Sequence, residues 1–374
     1  MKNTFAIVWI SLLIFILFAC QSEQETQKAS TKDVKLISKR KMHIPLDSIT
    51  ATPYFNTQLF QQNQLIVLNS KLNALQFYEF KDRGKMTKRL QFEKEGEYGV
   101  GSISKFLVHN LDSIFLLNAY QYKVYLVNDK GEIIEKYSLL TRKIGDNTAL
   151  PDPLPFSRMT LLGESLYICS VPDENPSTDA FYLSTNNVTK LNLRSKKFDY
   201  IYGFPEIYKT NRYPNKLNNM DLSFIPPLNK FIHSFAASEN IQVTNIDHRQ
   251  TKEYYAGSIL FDKIKPLVKP IPDATKNNLE GNKRPSFITV LHNPYQNLII
   301  RLANTEAINE DNRQQKQKGS LIFLDYQFNK IGEAVFEEDM FLLNMHFTEE
   351  GIYIFKKSDN ENEMVYELFE VVIK

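Results

Sequence analysis

The chain of 374 residues is poor in the residues that usually announce chemistry: two cysteines, one tryptophan and six scattered histidines. It has no His-Glu-x-x-His, no Cys-x-x-Cys and no histidine pair at helical spacing, so no zinc site is expected. Gly-rich phosphate loops and a Gly-x-Ser-x-Gly elbow are also missing. The acidic stretches Asp359–Glu363 and Asn309–Asn312 lack the glycine and terminal glutamate of a calcium loop. No metal and no cofactor are therefore expected. Charge is balanced, with 45 basic against 43 acidic side chains. A nucleic-acid binder would normally carry a marked basic excess, so none is expected as a partner. Thirteen glycines and sixteen prolines are too few for a fibrous or low-complexity chain. Long segments with a 3.6-residue apolar period are lacking too, which argues against a helical bundle.

What is present begins with an address. Lys2 precedes an apolar run from Phe5 to Phe18 that only Ser11 interrupts. Its length suits a signal-peptide core better than a spanning helix of roughly 20 residues. The run ends in Leu17-Phe18-Ala19-Cys20, which resembles a bacterial lipobox, so residues 1–19 are expected to be removed and Cys20 lipidated. The lipid would make the membrane a partner of the chain. Cys169 then stands alone, which excludes an intramolecular disulfide. It lies in the apolar run Ser165–Val171 and reads as a buried, inert thiol. Residues 20–33 carry almost no apolar side chain and read as a solvated tether. The acidic residues behind Cys20 resemble the surface-export signal of Bacteroidetes lipoproteins. An outer-membrane lipoprotein facing outward is expected, with the periplasmic face as the alternative.

Residues 34–374, in a chain that is 43% hydrophobic, form one domain of short β-type runs. Six apolar phrases recur, each after a polar or Gly-containing turn: Leu65–Leu68, Ile114–Leu117, Leu166–Cys169, Phe231–Phe235, Leu298–Leu302 and Ile352–Phe355. Their starts lie 49, 52, 65, 67 and 54 residues apart. Hairpins follow, with Gly84 and Gly131 placed where a turn needs positive φ. Six such units predict an all-β, six-bladed β-propeller of four-stranded antiparallel blades. Long inserts are expected at Thr141–Pro155, Pro172–Thr178, Tyr208–Pro227 and Thr305–Gly319. The run Val365–Ile373 ends the chain as only a third strand of its blade. The spare N-terminal run Val34–Ile44 is expected to pair with it and close the ring. Lys and Arg on its outer side suit an edge strand.

The lipobox, the tether, Gly99-Val-Gly-Ser-Ile-Ser-Lys-Phe106, Asp112-Ser-Ile-Phe-Leu116 and Gly203-Phe-Pro-Glu-Ile-Tyr208 resemble an uncharacterised family of Bacteroidetes lipoproteins. The resemblance implies a six-bladed propeller similar to NHL-repeat proteins. It carries over no activity and no catalytic residue.

Two arginines stand out. Arg301 interrupts the apolar run Leu298–Leu302, and Arg158 follows Pro155-Phe-Ser where the inner strand of blade three should start. An arginine inside a core strand must pair or reach water, and a propeller channel provides both. Either residue is a candidate to bind a carboxylate or sugar acid, against the plainer reading of an inter-blade contact. Tyr208 and Tyr213 are candidates to stack on sugar rings from surface loops. His109-Asn110 and His292-Asn293 read as matching turn caps, and Asp247-His248-Arg249 as a solvated turn. The leading expectation is a non-enzymatic binding or scaffold module for a glycan, peptide or protein. The alternative is a propeller hydrolase or lyase working on glycan or peptide at the channel mouth.

Overall fold

In a computed structural model, which describes residues 32–50, 56–140, 148–336 and 340–374, the strands sort into six antiparallel sheets. Cys20, the stretch expected to be a signal peptide, nearly all of the expected tether and the start of the Thr141–Pro155 insert lie outside the described residues. Each recurring apolar phrase is the second strand of its sheet. Blade one runs Thr57–Phe60, Gln64–Asn69, Ala74–Glu79 and Met86–Gln91, and blade two Lys105–Asn110, Ser113–Asn118, Lys123–Val127 and Ile133–Ser138. Blade three sets two short inner strands, Ala149–Pro151 and Thr160–Leu162, against Ser165–Pro172, then adds Val188–Asn192 and Phe198–Ile201. Met220–Ile225, Lys230–Phe235, Asn240–Asn245 and Thr251–Tyr255 form blade four. Blade five is Ser286–Asn293, Leu298–Asn304, Gly319–Leu324 and Lys330–Phe336.

The sixth sheet joins the two ends of the domain. Met340–Thr348, Gly351–Lys356 and Glu363–Ile373 supply three strands, and Val34–Pro45 adds the fourth, in a register that runs from Val34 opposite Ile373 to Pro45 opposite Glu363. This is the strand pairing that the spare N-terminal run predicts. A bulge falls between Ser38 and Arg40, and charged side chains cover this outermost strand, both of which discourage edge-to-edge association.

The second strands are apolar without alternation because both of their faces are buried. In Leu65–Leu68, Ile66 and Leu68 pack toward blade two, with Leu116 and Val108. Leu65 and Val67 pack the other way, against Tyr353, Phe355 and Tyr366 of blade six. The same division repeats around the molecule, so every blade shares a core with the next. Each fully buried large apolar side chain contributes roughly 1.5–3 kcal/mol, and none of that is available to an isolated blade.

Several local expectations need correction. Gly131 has φ +82°, as its hairpin requires. In the matching turn of blade one the left-handed residue is Arg83, with φ +57°. Gly84 is needed instead for close approach, since a Cβ there would lie 2.1 Å from the Glu79 carbonyl oxygen. The stretch Tyr208–Pro227 is not only an insert, for it contains the inner strand of blade four. Short helices at Asp179–Leu183 and Glu206–Thr210 pad the seam between blades three and four, and a third, Ala274–Asn282, lies between blades four and five.

Candidate functional site

The inner strands converge on a cavity of about 520 Å3 at the channel. Blades one, two, five and six contribute to its wall, together with the Pro155–Met159 segment of blade three. The inner strand of blade one is short and only half-buried because one side faces open space, as all four residues of Thr57–Phe60 show.

Arg158 points into this cavity and is exposed to it. Its guanidinium makes no hydrogen bond or ion pair with the described residues. Protein nevertheless surrounds it, and that enclosure disfavours the charged form and lowers its pKa, opposed by the Asp221 carboxylate. The segment that carries Arg158 is held by a buried polar lock. Lys105, at the start of the inner strand of blade two, donates to the Ser157 hydroxyl. Ser157 donates to Asp152 Oδ2 at 2.7 Å, and Lys105 Nζ lies 3.8 Å from the same oxygen. Asp152 Oδ1 also accepts the Leu154 amide at 2.9 Å. The positive charge of Lys105 is thus matched locally, whereas that of Arg158 is left for the cavity.

Two further groups bear on the electrostatics. Asp221 is buried in the inner strand of blade four and accepts from the Thr289 hydroxyl and from the Val290 amide at 2.9 Å. Its Oδ1 has no partner among the described residues. Burial raises its pKa to about 6, despite these bonds and Arg158. On blade six, His346 is 3.3 Å from the Thr57 hydroxyl, which in turn donates to Asn344 at 2.8 Å. Burial, with Arg158 as a lesser cause, pulls the imidazole pKa down to about 3, so His346 is neutral at ordinary pH. The described lining contains no Asp or Glu. The rim contains Tyr295 and the hairpin tip Gln61–Gln62, whose residues have φ of +49° and +61°.

Arg301 is elsewhere, and the ligand role expected for it is corrected here. It is fully buried, and all five of its N–H donors serve blade four. Nε donates to Ser234 Oγ at 2.9 Å, Nη1 to the carbonyls of Glu239 and Ala256 at 3.0 and 3.1 Å, and Nη2 to those of Phe235 and Ser238 at 3.1 and 2.7 Å. The Phe287 ring lies 3.6 Å below the guanidinium carbon. No donor remains for a ligand. Enclosure lowers its pKa to about 9, which keeps it charged at neutral pH.

Tyr208 and Tyr213 are also core residues rather than surface platforms. The Tyr208 hydroxyl donates to the Leu217 carbonyl at 2.6 Å and accepts the Ala237 amide at 2.8 Å. Cys169 is a buried free thiol whose pKa burial pushes up, as an inert cysteine requires. Asn110 and Asn293 do cap matching turns, accepting the amides of Asp112 and Tyr295 at 2.9 and 3.1 Å. His248 is not in a purely solvated turn: it is half-buried, stacks on Phe231 and meets His233 at 3.3 Å. The described residues contain no group of three His, Cys, Asp or Glu placed to hold a metal, and no helix long and apolar enough to cross a membrane.

Sequence reasoning did not find Lys105, Asp221, Tyr295 or the Gln61–Gln62 tip. Only the tip left a readable trace, a hairpin turn of Phe60-Gln-Gln-Asn-Gln64 without glycine.

The fold has solved relatives. A Bacteroides vulgatus protein described as a member of the DUF4221 family superposes with a TM-score of 0.77 at 17% identity, covering 92% of this chain and all of the other. A Bacteroides fragilis protein described as a "Putative exported protein" gives 0.54 at 11% identity, covering 94% of this chain and 98% of its own. At these identities the likeness shows the fold alone. No curated protein matches the chain. The model of a domain of unknown function, DUF4221, matches residues 30–335, and the chain belongs to that family.

Proposed function

We propose that this propeller is a binding module, held at the outer membrane by a lipid on Cys20, and that its channel cavity takes an anionic small molecule. The observation that carries the reading is Arg158: an arginine exposed in a half-open cavity, without a partner among the described residues, in a wall whose described part has no carboxylate. A carboxylate would supply the missing partner, and guanidinium–carboxylate pairs are among the stronger polar contacts in a sheltered site. The alternative, a hydrolase or lyase at the channel mouth, gains less support. His346 is neutral and tied to Thr57, and Asp221 is sealed behind the wall, so no exposed acid and base stand side by side among the described residues of the cavity.

Titration calorimetry with cyclohexanecarboxylate and with its neutral amide tests the cavity. The acid is expected to bind and the amide not, and Arg158→Gln is expected to abolish the difference. Equal heats for acid and amide would remove the anion-binding reading. For the anchor, Cys20→Ala is expected to abolish labelling by a radioactive fatty acid; a variant that still labels would refute lipidation at that residue.

A further inference from the structure

The cavity also restricts what kind of anion fits, on the premise that the anion-binding reading holds. We propose that the ligand is a sugar acid, a ring with one carboxylate and several hydroxyls, and that the Gln61–Gln62 hairpin tip recognises the hydroxyls.

Charge count is the first argument. Of the two cations in the described wall, Lys105 is already matched by Asp152 and Ser157, which leaves Arg158 for the ligand. One uncommitted guanidinium suits one carboxylate; a phosphate or tricarboxylate would need more positive charge. The second argument is the rim. Gln61 and Gln62 are consecutive non-glycine residues in left-handed backbone, at the tip of the hairpin that joins the two inner strands of blade one. Glycine would adopt these angles without strain and asparagine with less; as glutamines they place two carboxamides at the rim of the cavity. The Gln61 carboxamide makes no hydrogen bond to the described residues, and that of Gln62 lies close enough to Tyr295 to lower the phenol's pKa against the larger upward push of burial. Each carboxamide offers a donor pair and an acceptor, which matches the donor–acceptor character of a sugar hydroxyl. Third, half-buried Phe156 and partly exposed Tyr295 line the same cavity. They supply flat apolar surface of the sort that covers the C–H face of a pyranose. The volume of about 520 Å3 is ordinary for a small-molecule site.

The experiment titrates the full-length lipoprotein, solubilised in detergent, with three uronates (galacturonate, glucuronate and mannuronate), their neutral parent sugars and cyclohexanecarboxylate. At least one uronate should bind about tenfold tighter than both its neutral sugar and cyclohexanecarboxylate. The double variant Gln61→Gly/Gln62→Gly relieves backbone strain and should melt no lower than the parent. It should lose about tenfold in uronate affinity while cyclohexanecarboxylate binding stays unchanged. If cyclohexanecarboxylate binds as well as every uronate, the sugar-acid assignment is wrong and the anion-binding reading survives. If the double variant binds uronates like the parent, the rim has no such role. If neither kind of acid binds better than cyclohexanecarboxamide, the underlying anion-binding reading fails as well.

Discussion

Arg301 and Arg158 occupy two regions that use the same side chain in opposite ways. At the seam between blades four and five, Arg301 has every donor satisfied by protein and is closed off from solvent. In the channel, Arg158 has an open face and no such partners. Burial disfavours the charge in both places; at the seam the five N–H donors are met by carbonyl oxygens and a hydroxyl, and in the channel that pairing is left to whatever enters. The seams therefore hold the ring together, and the channel keeps polar capacity in reserve. Each prediction below tests that division by asking where stability resides.

The largest effect is expected where the N-terminal strand pairs with the C-terminal one. Deleting Val34–Pro45 while keeping the tether removes Met42 and Ile44 from the core between blades six and one, and leaves Glu363–Ile373 as an unprotected edge. The ladder with Glu363–Ile373 and the burial of Met42 and Ile44 are lost, which outweighs the ordering entropy saved on the 12 deleted residues, and the new edge invites aggregation. The truncated protein should melt more than about 10 °C lower or fail to accumulate in soluble form, because a domain of this size shifts about 1.4 °C per kcal/mol. Melting like the parent would mean that the N-terminal strand decorates the ring without closing it.

How far the two regions were legible follows from how locally each is encoded. Second strands such as Leu65–Leu68 and Ile352–Phe355 announce themselves because burial on both faces makes them continuously apolar. Their spacing alone gives the number of blades. An inner strand such as Thr57–Phe60 is half-exposed to the channel and loses that signature. Met220–Ile225 is mostly buried but interrupted by Asp221 and Ser223, which is why it reads as part of an insert. The arginines show the limit for sites. Both break an apolar context, so both look like ligand candidates. What separates them is a set of carbonyls at Phe235, Ser238, Glu239 and Ala256, distant in sequence from Arg301 and brought to it only by blade packing. The Lys105–Ser157–Asp152 lock is invisible for the same reason, since it links two blades across a long insert.

A smaller loss should follow from opening the seam at one residue. Arg301→Ala strands four carbonyl oxygens and a hydroxyl and leaves a void beneath Phe287. Buried acceptors left without donors, together with the void, cost about 3–5 kcal/mol. At about 1.4 °C per kcal/mol this is a fall of roughly 4–7 °C. Arg301→Lys should recover only a minor part, because an ammonium cannot span carbonyls that five guanidinium N–H groups reach. Differential scanning calorimetry of the ligand-free proteins reads this directly, and an unchanged melting point in Arg301→Ala would show that the clamp is dispensable.

The smallest effect is expected in the channel, and it is the sharpest form of the contrast. Arg158→Gln removes no hydrogen bond and leaves the Lys105–Ser157–Asp152 lock in place. It relieves the enclosure of an uncompensated cation, and it takes away a favourable charge from Asp221, whose pKa Arg158 helps to lower. These effects oppose one another, so the ligand-free melting point should move by less than about 1 °C, in line with substitutions that break no buried partnership. Affinity for a carboxylate ligand should disappear in the same protein. Side by side, Arg301→Gln should melt several degrees lower while the Arg158 side of the cavity, on the Pro155–Met159 segment, stays in place. A fall of several degrees in Arg158→Gln would show that this arginine, too, is bound into the fold, and the distinction between seam and channel would not hold.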